Sequence, residues 1–398
     1  MKRVGRIELK YLKQVLKSEF RSSKSVGMVS KLENRFANFI GTKYAIGFVN
    51  GTATLHTSLE ALGIGPGDEV IVPPLTMSAT AFSVLQTGAT PIFADVDLET
   101  FQISPKAIAN KISKNTKAIM TVSLYGGSPD YCEINKNVGS IPIIEDNAES
   151  IGATYNNQNL GTFGLVSSYS FQSSKHITAG EGGMICTNSL EIADRVRKIQ
   201  SLGYSAVGAT VQKIDKKVIQ NPSYERHEIL GWNYRMSELT AAVVLGQLEH
   251  AQELIATRIE TGNQIYEIAS KFEWLKTQKT YKNSNHSFWA APILLDRQDI
   301  SWEKFRDKFM ENGGKGIYAA WKLSYLEPVF RDRKFLNREK KISAAVLKTY
   351  KEGLCKNAEY LQPKILAFRT NEWSKKQRTT QLKALEKTLK YFDNKIIK

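Results

Sequence analysis

Between residues 41 and 250 the chain alternates short apolar runs with stretches of helical periodicity. Most of the runs are continuously apolar, which is typical of strands covered on both faces. The runs predicted as strands are 44–49, 69–72, 91–94, 118–122, 141–145, 167–171 and 183–187, and the helices predicted between them include 53–62, 78–86, 105–112 and 190–200. Alternation of this kind predicts an α/β domain with a mostly parallel sheet.

The length of the chain predicts more than one domain, since 398 residues exceed the size at which a single core keeps growing. We expect residues 1–255 to form an N-terminal segment and a large domain. Residues 256–398 mix helices with a few strands, such as 288–295, and are expected to form a smaller α+β domain.

Three further stretches can be interpreted from their pattern of apolar and polar residues. Residues 1–40 show apolar residues at helix spacing, and the pattern from 233 to 255 predicts a long helix leading out of the large domain. The polar, aperiodic segment 204–227 is expected to be a long functional loop.

Composition excludes several classes of protein. Hydrophobic residues make up 42% of the chain, and no apolar run approaches the roughly 18 residues of a membrane span. The N-terminus has no apolar segment typical of a secretory signal. Three widely spaced cysteines form neither a metal motif nor a disulfide framework, so we expect a cytoplasmic protein.

The net charge of +16 is concentrated near the C-terminus, where residues 301–398 contain 24 of the 55 basic and 11 of the 39 acidic residues. Such a region attracts nucleic acid or an anionic substrate, or it is a solvated helical face.

Segment 170–183 reads SFQSSKHITAGEGG and follows a predicted buried strand. Lys175 stands there among small residues, the setting that a protein needs to hold an aldehyde cofactor as a Schiff base. Ser170 is placed to donate to a phosphate, and the glycines let the backbone pass close to a cofactor or a neighbouring chain. With the segments described next, this makes pyridoxal phosphate (PLP) the leading hypothesis.

Segment 48–55 reads FVNGTATL, in which a strand ends, Gly51 turns the chain and a helix begins at a hydroxyl residue, Thr52. The free backbone N–H groups and positive end of such a helix bind phosphate. An ordinary helix start is the alternative interpretation.

Segment 143–150 reads IIEDNAES and ends a buried strand with acidic residues. At the carboxyl edge of a parallel sheet, Asp146 is placed to pair with a pyridinium nitrogen and keep it protonated. Glu149 is placed to reach the phenolic oxygen of the same ring. A turn-forming Asp or a metal ligand is the alternative, but no His or Cys cluster accompanies it, so no metal is expected.

Segment 231–239 reads GWNYRMSEL and opens a helix with Ser237 as a candidate cap. Asn233 places a short polar side chain in an aromatic setting, which by itself indicates only a loop before a helix.

In these four segments and their order, the chain resembles the DegT/DnrJ/StrS family of PLP-dependent sugar aminotransferases. Also similar are the phrases GIGPGDEVIVP at 63–73, GATP at 88–91 and GEGG at 180–183. The resemblance covers most of residues 25–255 and, more loosely, the remainder. It implies a large domain of the aspartate aminotransferase type (fold type I) and a homodimer with shared active sites.

The resemblance also implies roles for single residues. Lys175 matches the Schiff-base lysine and Asp146 matches the partner of the pyridine nitrogen. Glu149 stands where the family often has Gln. The phosphate-binding positions are matched by Thr52, Ala53 and Ser170, with Gly51 beside them, and Asn233 matches a residue that reaches the phosphate from the other subunit.

Two positions depart from the family pattern. Met77 occupies the place of an aromatic residue on the cofactor ring, and methionine also packs well on an aromatic face. Segment 316–322, GIYAAWK, replaces a stretch that often carries Arg and His near the substrate.

The implied reaction moves an amino group from an amino acid, with L-glutamate expected, to a keto sugar. The expected acceptor is a nucleotide-linked 4-keto-6-deoxyhexose in surface-polysaccharide or amino-sugar biosynthesis, and a keto-sugar acid such as an oxidised octulosonate is the alternative. A PLP-dependent sugar 3-dehydratase would have histidine in place of the lysine, whereas this chain retains Lys175 beside His176. A DNA-binding regulator is disfavoured, because helix-turn-helix and zinc-finger spacings are missing from the sequence.

Overall fold

The computed structural model describes residues 3–20, 27–211, 213–336 and 342–394. Within them the strands are β1 (Tyr44–Phe48), β2 (Glu69–Val72), β3 (Thr90–Phe93), β4 (Thr116–Val122), β5 (Ile143–Asp146), β6 (Thr154–Tyr155), β7 (Gln158–Asn159), β8 (Val166–Ser170), β9 (Gly183–Thr187), β10 (Leu275–Thr277), β11 (Ala290–Leu295), β12 (Tyr318–Ala319) and β13 (Ile365–Arg369).

The helices begin near the N-terminus and continue through both halves of the chain. They are α1 (Arg6–Lys17), α2 (Met28–Ile40), α3 (Gly51–Ala61), α4 (Ala79–Gln86), α5 (Pro105–Ala109), α6 (Tyr131–Val138), α7 (Leu190–Gln200), α8 (Lys216–Gln220), α9 (Glu238–Glu249), α10 (Ala251–Ala269), α11 (Trp302–Glu311), α12 (Pro328–Arg331), α13 (Ala344–Leu347), α14 (Lys356–Leu361) and α15 (Lys375–Asp393).

Seven strands form one sheet in the order β1-β9-β8-β5-β4-β2-β3. Strand β9 runs antiparallel to β1 and β8, and the remaining pairs are parallel. Neighbouring residues of one strand pack on opposite faces: Met120 and Ile144 belong to one buried cluster, Ile119 and Ile143 to another. This two-sided burial explains the continuously apolar runs and confirms the predicted mostly parallel mixed sheet.

A second, antiparallel sheet has the order β10-β11-β13-β12. Helices α10, α11 and α15 pack with it around a shared apolar core. The domain boundary predicted at residue 255 lies within α10 and stays a prediction.

Some predicted boundaries were wrong. The helix predicted over 105–112 ends at Ala109, and the long helix predicted to 255 is interrupted at His250, whose φ of −121° and ψ of 24° are not helical. The predicted loop 204–227 is irregular apart from the short α8, and Gln212 within it lies outside the described residues. Residues 21–26 of the predicted N-terminal helical region lie outside them as well.

Sheet topology positions the site. The carboxyl ends of the parallel strands meet at one edge, where ligands of open α/β sheets bind. Asp146 is the last residue of β5 and Ser170 is the last residue of β8. Two residues separate the end of β1 from the start of α3, so the N-terminus of α3 faces the same edge.

No helix of the described residues combines the length and the apolar character needed to cross a membrane.

Candidate active site

A cavity of about 490 Å³ opens at this edge of the sheet. Seven of the nine residues predicted from the sequence to bind a cofactor line it: Gly51, Thr52, Met77, Asp146, Glu149, Ser170 and Lys175. They come from four separate segments of the chain (51–52, 77, 146–149 and 170–175), so the fold brings together groups that the sequence only suggested separately.

One wall of the cavity is the N-terminus of α3. The Asn50 side chain accepts a hydrogen bond from the Ala53 backbone N–H at 2.8 Å and caps the helix, while Gly51 and Thr52 line the cavity. A Cβ on Gly51 would lie 2.9 Å from the Ser170 Cβ, so glycine is required where the helix meets the end of β8. Ala53 is buried and does not line the cavity.

The carboxylate of Asp146 lies at the floor of the cavity and is buried. Its Oδ2 accepts a hydrogen bond from the Thr80 hydroxyl at 2.9 Å, and its Oδ1 accepts one from the Ala148 N–H at 3.2 Å. Burial raises the pKa of Asp146 above its ordinary value, and these hydrogen bonds and the charge of Lys175 oppose that rise. A buried carboxylate of this kind gains most from a cationic partner.

Lys175 and Glu149 form a buried ion pair. The Lys175 Nζ lies 3.1 Å from the Glu149 Oε1, and their side chains are 12% and 5% exposed. The ammonium group also lies 4.7 Å from the centre of the Trp289 ring. The Glu149 Oε2 accepts a hydrogen bond from the Tyr125 N–H at 2.9 Å.

Two predicted residues are placed differently from the rest. Met77 lines the cavity but is 53% exposed, so it forms part of the entrance. Asn233 is exposed, pairs through its backbone with Ser201, and does not line the cavity of its own chain.

Aromatic residues were missed by the sequence reasoning. Trp289 and Trp321 line the cavity, and Tyr125 stacks near both, with ring centres 6.3 and 6.5 Å away. Both tryptophans come from the C-terminal half of the chain. No local motif marks Trp289, whereas Trp321 lies in segment 316–322, which replaces a stretch near the substrate in the family pattern. A second cavity of about 440 Å³ adjoins the first through the shared residues Ser174, Trp289 and Trp321.

The second cavity is largely apolar in composition, with a polar end. Tyr318, Arg369 and Asn371 line it, and the Arg369 Nε donates a hydrogen bond to the Asn371 Oδ1 at 3.2 Å. The Arg369 Nη2 lies 3.6 Å from a Glu372 carboxylate oxygen. An aromatic wall beside a guanidinium suits a ring-shaped ligand that carries an anionic group.

The residues present fit pyridoxal phosphate. The cradle between Gly51 and Ser170 offers the free N–H groups of a helix start to a phosphate. Asp146 offers a carboxylate to a ring nitrogen, and Lys175 offers an amine to an aldehyde. Within the described residues, no cluster of His, Cys, Asp and Glu has the arrangement of a metal site.

Comparison with known proteins gives consistent matches. A family profile described as the DegT/DnrJ/EryC1/StrS aminotransferase family matches residues 3–352. The GDP-perosamine synthase of Escherichia coli O157:H7 is 39% identical over 310 residues, which cover 76% of this chain and 80% of that protein.

Solved structures share the fold. An aminotransferase from Psychrobacter cryohalolentis superposes with a TM-score of 0.85 at 27% identity, over 97% of both chains. A GDP-4-keto-6-deoxymannose-3-dehydratase with a trapped PLP–glutamate geminal diamine superposes with a TM-score of 0.78 at 25% identity, over 95% of this chain and 97% of that one. The mostly parallel seven-stranded sheet and its helices therefore have the fold type I architecture, as predicted.

Proposed function

The chain belongs to the DegT/DnrJ/EryC1/StrS aminotransferase family, and we propose that it transfers the amino group of L-glutamate to the keto group of a nucleotide-linked sugar. One observation supports this best: Lys175, Asp146 and the N-terminus of α3 line a single cavity. The glutamate adduct in the solved dehydratase supports the choice of donor.

The cofactor is pyridoxal phosphate, which supplies an electron sink for the carbanion that forms when the amino donor loses its α-proton. We assign its phosphate to the backbone of Gly51 and Thr52 and to the Ser170 hydroxyl. Asp146 would hold the proton on the ring nitrogen, and Glu149 would contact the ring hydroxyl.

Lys175 has two tasks in this proposal. Its Nζ atom would hold the aldehyde carbon of the cofactor, and as a free amine it would serve as the general base and acid that moves the α-proton of the donor. The Trp289 ring, whose centre lies 4.7 Å from the Lys175 amine, limits the access of water to that amine. A histidine could not hold the aldehyde in this way, so the lysine favours amino transfer over the dehydration chemistry of the solved relative.

The adjoining cavity is the proposed binding site of the acceptor. Its aromatic wall suits the apolar face of a 6-deoxyhexose. The names of two similar proteins, a GDP-perosamine synthase and a GDP-4-keto-6-deoxymannose-3-dehydratase, support a nucleotide-linked 4-keto-6-deoxyhexose as the acceptor. Incubating the enzyme with labelled glutamate and a panel of nucleotide-linked keto sugars, followed by mass spectrometry, tests this directly. Labelled amino sugar is expected, and its absence from every 4-keto-6-deoxyhexose would overturn the proposed acceptor.

A keto-sugar acid is the second candidate acceptor, because the Arg369 guanidinium lines the adjoining cavity and binds carboxylates well. Adding keto-sugar acids to the same panel separates the two candidates. If the acceptor is such an acid, it should be aminated, and Arg369→Gln should abolish its turnover selectively.

We also propose a homodimer in which Asn233 serves the partner's phosphate site. Among the described residues that line the cavity, Lys175 has the only cationic side chain, so the phosphate site gains from a further donor. The segment around Asn233 exposes apolar side chains suited to an interface, including Ile229, Leu230 and Trp232, with Leu230 86% exposed.

A cytoplasmic location is part of the same proposal. Cys132, Cys186 and Cys355 are free thiols, which a reducing compartment preserves.

The assignment of Lys175 has its own test. Borohydride reduction of the PLP-loaded enzyme should leave the cofactor attached to the peptide that contains Lys175, and Lys175→Ala should lose the visible absorbance while keeping its fold by circular dichroism. A reduced adduct on another lysine would show that the anchor lies elsewhere.

A further inference from the structure

Two arginines that are far apart in the sequence donate hydrogen bonds to the backbone around Lys175. The Arg3 Nη1 donates to the Ser173 carbonyl at 2.5 Å, and its Nη2 donates to the Lys175 carbonyl. The Arg258 Nη2 donates to the Ser174 carbonyl at 2.6 Å and to the Lys175 carbonyl at 3.1 Å. Three consecutive carbonyls are thus held by two guanidinium groups.

Both guanidinium groups contact the same indole ring. The Cζ atoms of Arg3 and Arg258 lie 5.4 and 5.6 Å from the centre of the Trp373 ring. Burial lowers the pKa of Arg3 to about 10 and that of Arg258 to about 9. Within the described part of the chain neither arginine forms an ion pair, so hydrogen bonds to uncharged acceptors and contact with the indole compensate for their lost hydration.

The N-terminal segment is fixed so that Arg3 reaches the loop. The Gln247 Nε2 donates to the Arg3 carbonyl and to the Glu8 Oε1, both at 2.5 Å. A Cβ on Gly246 would lie 2.9 Å from the Glu8 Cα, so α1 lies directly against α9 at this point. The position of Arg3 therefore follows from helix packing rather than from its own side chain alone.

Arg258 joins the same backbone to the aromatic wall. It is fully buried, and its Nη1 donates to the Trp289 carbonyl at 2.9 Å and to the Thr370 hydroxyl at 3.1 Å. The Arg258 guanidinium therefore connects the backbone of Lys175 to that of Trp289, whose ring centre lies 4.7 Å from the Lys175 ammonium group.

We propose that Arg3 and Arg258 are positioning residues that fix the backbone of Lys175, so that its amine meets the cofactor aldehyde from one direction. The planar fork of a guanidinium suits this task, since it can hold two carbonyls at once. The proposal rests on the role assigned to Lys175 above. Arg258 is too deeply buried to replace without risk to folding, so Arg3 is the residue to test.

The experiment compares Arg3→Ala with Arg6→Ala, a control that removes an exposed arginine from the same segment. In the cofactor-free protein, hydrogen exchange of the 173–177 amides should be about tenfold faster in Arg3→Ala, because the loop loses charge-assisted hydrogen bonds. After PLP is added, visible absorbance should also develop about tenfold more slowly than in the control. Exchange and absorbance equal to those of Arg6→Ala would overturn the proposal.

Two additions separate positioning from general destabilisation. Millimolar methylguanidinium should restore the absorbance rate of Arg3→Ala, whereas methylammonium should not, because only the former offers a planar fork. If Arg3→Ala does not fold, the same measurements are made on Arg3→Lys. This variant keeps the positive charge but has a single nitrogen to donate to two carbonyls. Equal rescue by both ions, or wild-type behaviour of Arg3→Lys, would contradict the assignment.

The two proposals fail in different ways. If borohydride labels another lysine, the role of Lys175 is wrong, while the exchange data still report whether Arg3 holds the loop. If Lys175 is labelled and Arg3→Ala behaves like Arg6→Ala, only the positioning role is lost.

Discussion

The amine of Lys175 lies 3.1 Å from the carboxylate of Glu149, which also accepts a hydrogen bond from the Tyr125 N–H. Tyr125 has a φ of 63°, a left-handed conformation that a bulky residue rarely adopts. The Glu149 carboxylate therefore binds both the strained backbone of Tyr125 and the Lys175 amine that is proposed to attack the cofactor. Because an amine must be neutral and free to attack an aldehyde, the same pair must separate when the cofactor binds.

This pair predicts that Glu149→Gln loads with PLP faster than the wild type. Glutamine can still accept from the Tyr125 N–H but no longer holds the amine as an ion pair. A hydrogen bond to a charged group contributes about 1.5–3 kcal/mol, so the rate of appearance of visible absorbance should rise by about tenfold. Slower loading would show instead that the Glu149 charge assists attachment.

Asp146→Asn should keep the shape of the cavity and lose the negative partner of the ring nitrogen. Turnover should fall on the order of a hundredfold or more, as is common when a charged group that stabilises a transition state is removed. Steady-state kinetics with saturating PLP measure this. Near wild-type turnover would mean that another group protonates the ring.

The raised pKa of Asp146 predicts how PLP affinity depends on pH. Only the ionised carboxylate pairs with a protonated ring nitrogen. PLP affinity should therefore be highest above the raised pKa of Asp146 and fall as the pH drops through that pKa. Below it, the affinity should fall by about tenfold per pH unit. The decline should start at higher pH than for an ordinary Asp, whose pKa is about 3.9. Fluorescence titration of the cofactor-free protein gives the profile, and Asp146→Asn provides the matched control, because it retains the ionisations of the cofactor. Identical profiles for the two proteins would count against this role.

Gly51→Ala should weaken PLP binding without unfolding the protein. The new Cβ would lie 2.9 Å from the Ser170 Cβ and would push the helix start and Ser170 apart, at a cost of about 1–3 kcal/mol. Because both groups are assigned to the phosphate, their displacement should lower PLP affinity by about tenfold or more. Gly65→Ala is the control, because its Cβ would meet only the Thr87 carbonyl oxygen at an ordinary 3.8 Å. Equal PLP affinity in both variants would show that the helix start tolerates a side chain.

Local sequence was sufficient to locate one half of the cavity. Asp146 and Ser170 end buried strands, and Gly51 starts a helix directly after another, so strand pattern and turn chemistry together indicated their shared edge. Asn50 could have been found too, since an asparagine before a helix is a frequent cap. Its side chain accepts a hydrogen bond from the Ala53 N–H, and Ala53 itself packs in a buried apolar cluster with Ile46 and Ile185, outside the cavity lining.

The other half depends on tertiary packing. Trp289 lies beside β11 and Trp321 follows β12, and both reach the cavity only because the second sheet packs against the seven-stranded sheet. No spacing in the sequence encodes that approach. The same holds for Arg3, whose contact with Lys175 spans 172 residues and depends on the packing of α1 against α9.

Asn233 allows the proposed homodimer with shared active sites to be tested. It is exposed and lies outside its own cavity, so a role at the phosphate requires a second chain. A hydrogen bond to a charged acceptor contributes about 1.5–3 kcal/mol to binding. Asn233→Ala should therefore weaken PLP retention while leaving attachment to Lys175 possible.

Mixing Lys175→Ala subunits with Asn233→Ala subunits should then produce heterodimers in which one site carries both changes and the other carries neither. If Asn233 acts on the partner's site, activity should exceed that of either parent and approach half of the wild-type value per dimer. Differently tagged subunits and two-step affinity purification provide defined heterodimers for the assay. No gain in such heterodimers would show that Asn233 serves its own chain or has no part in cofactor binding.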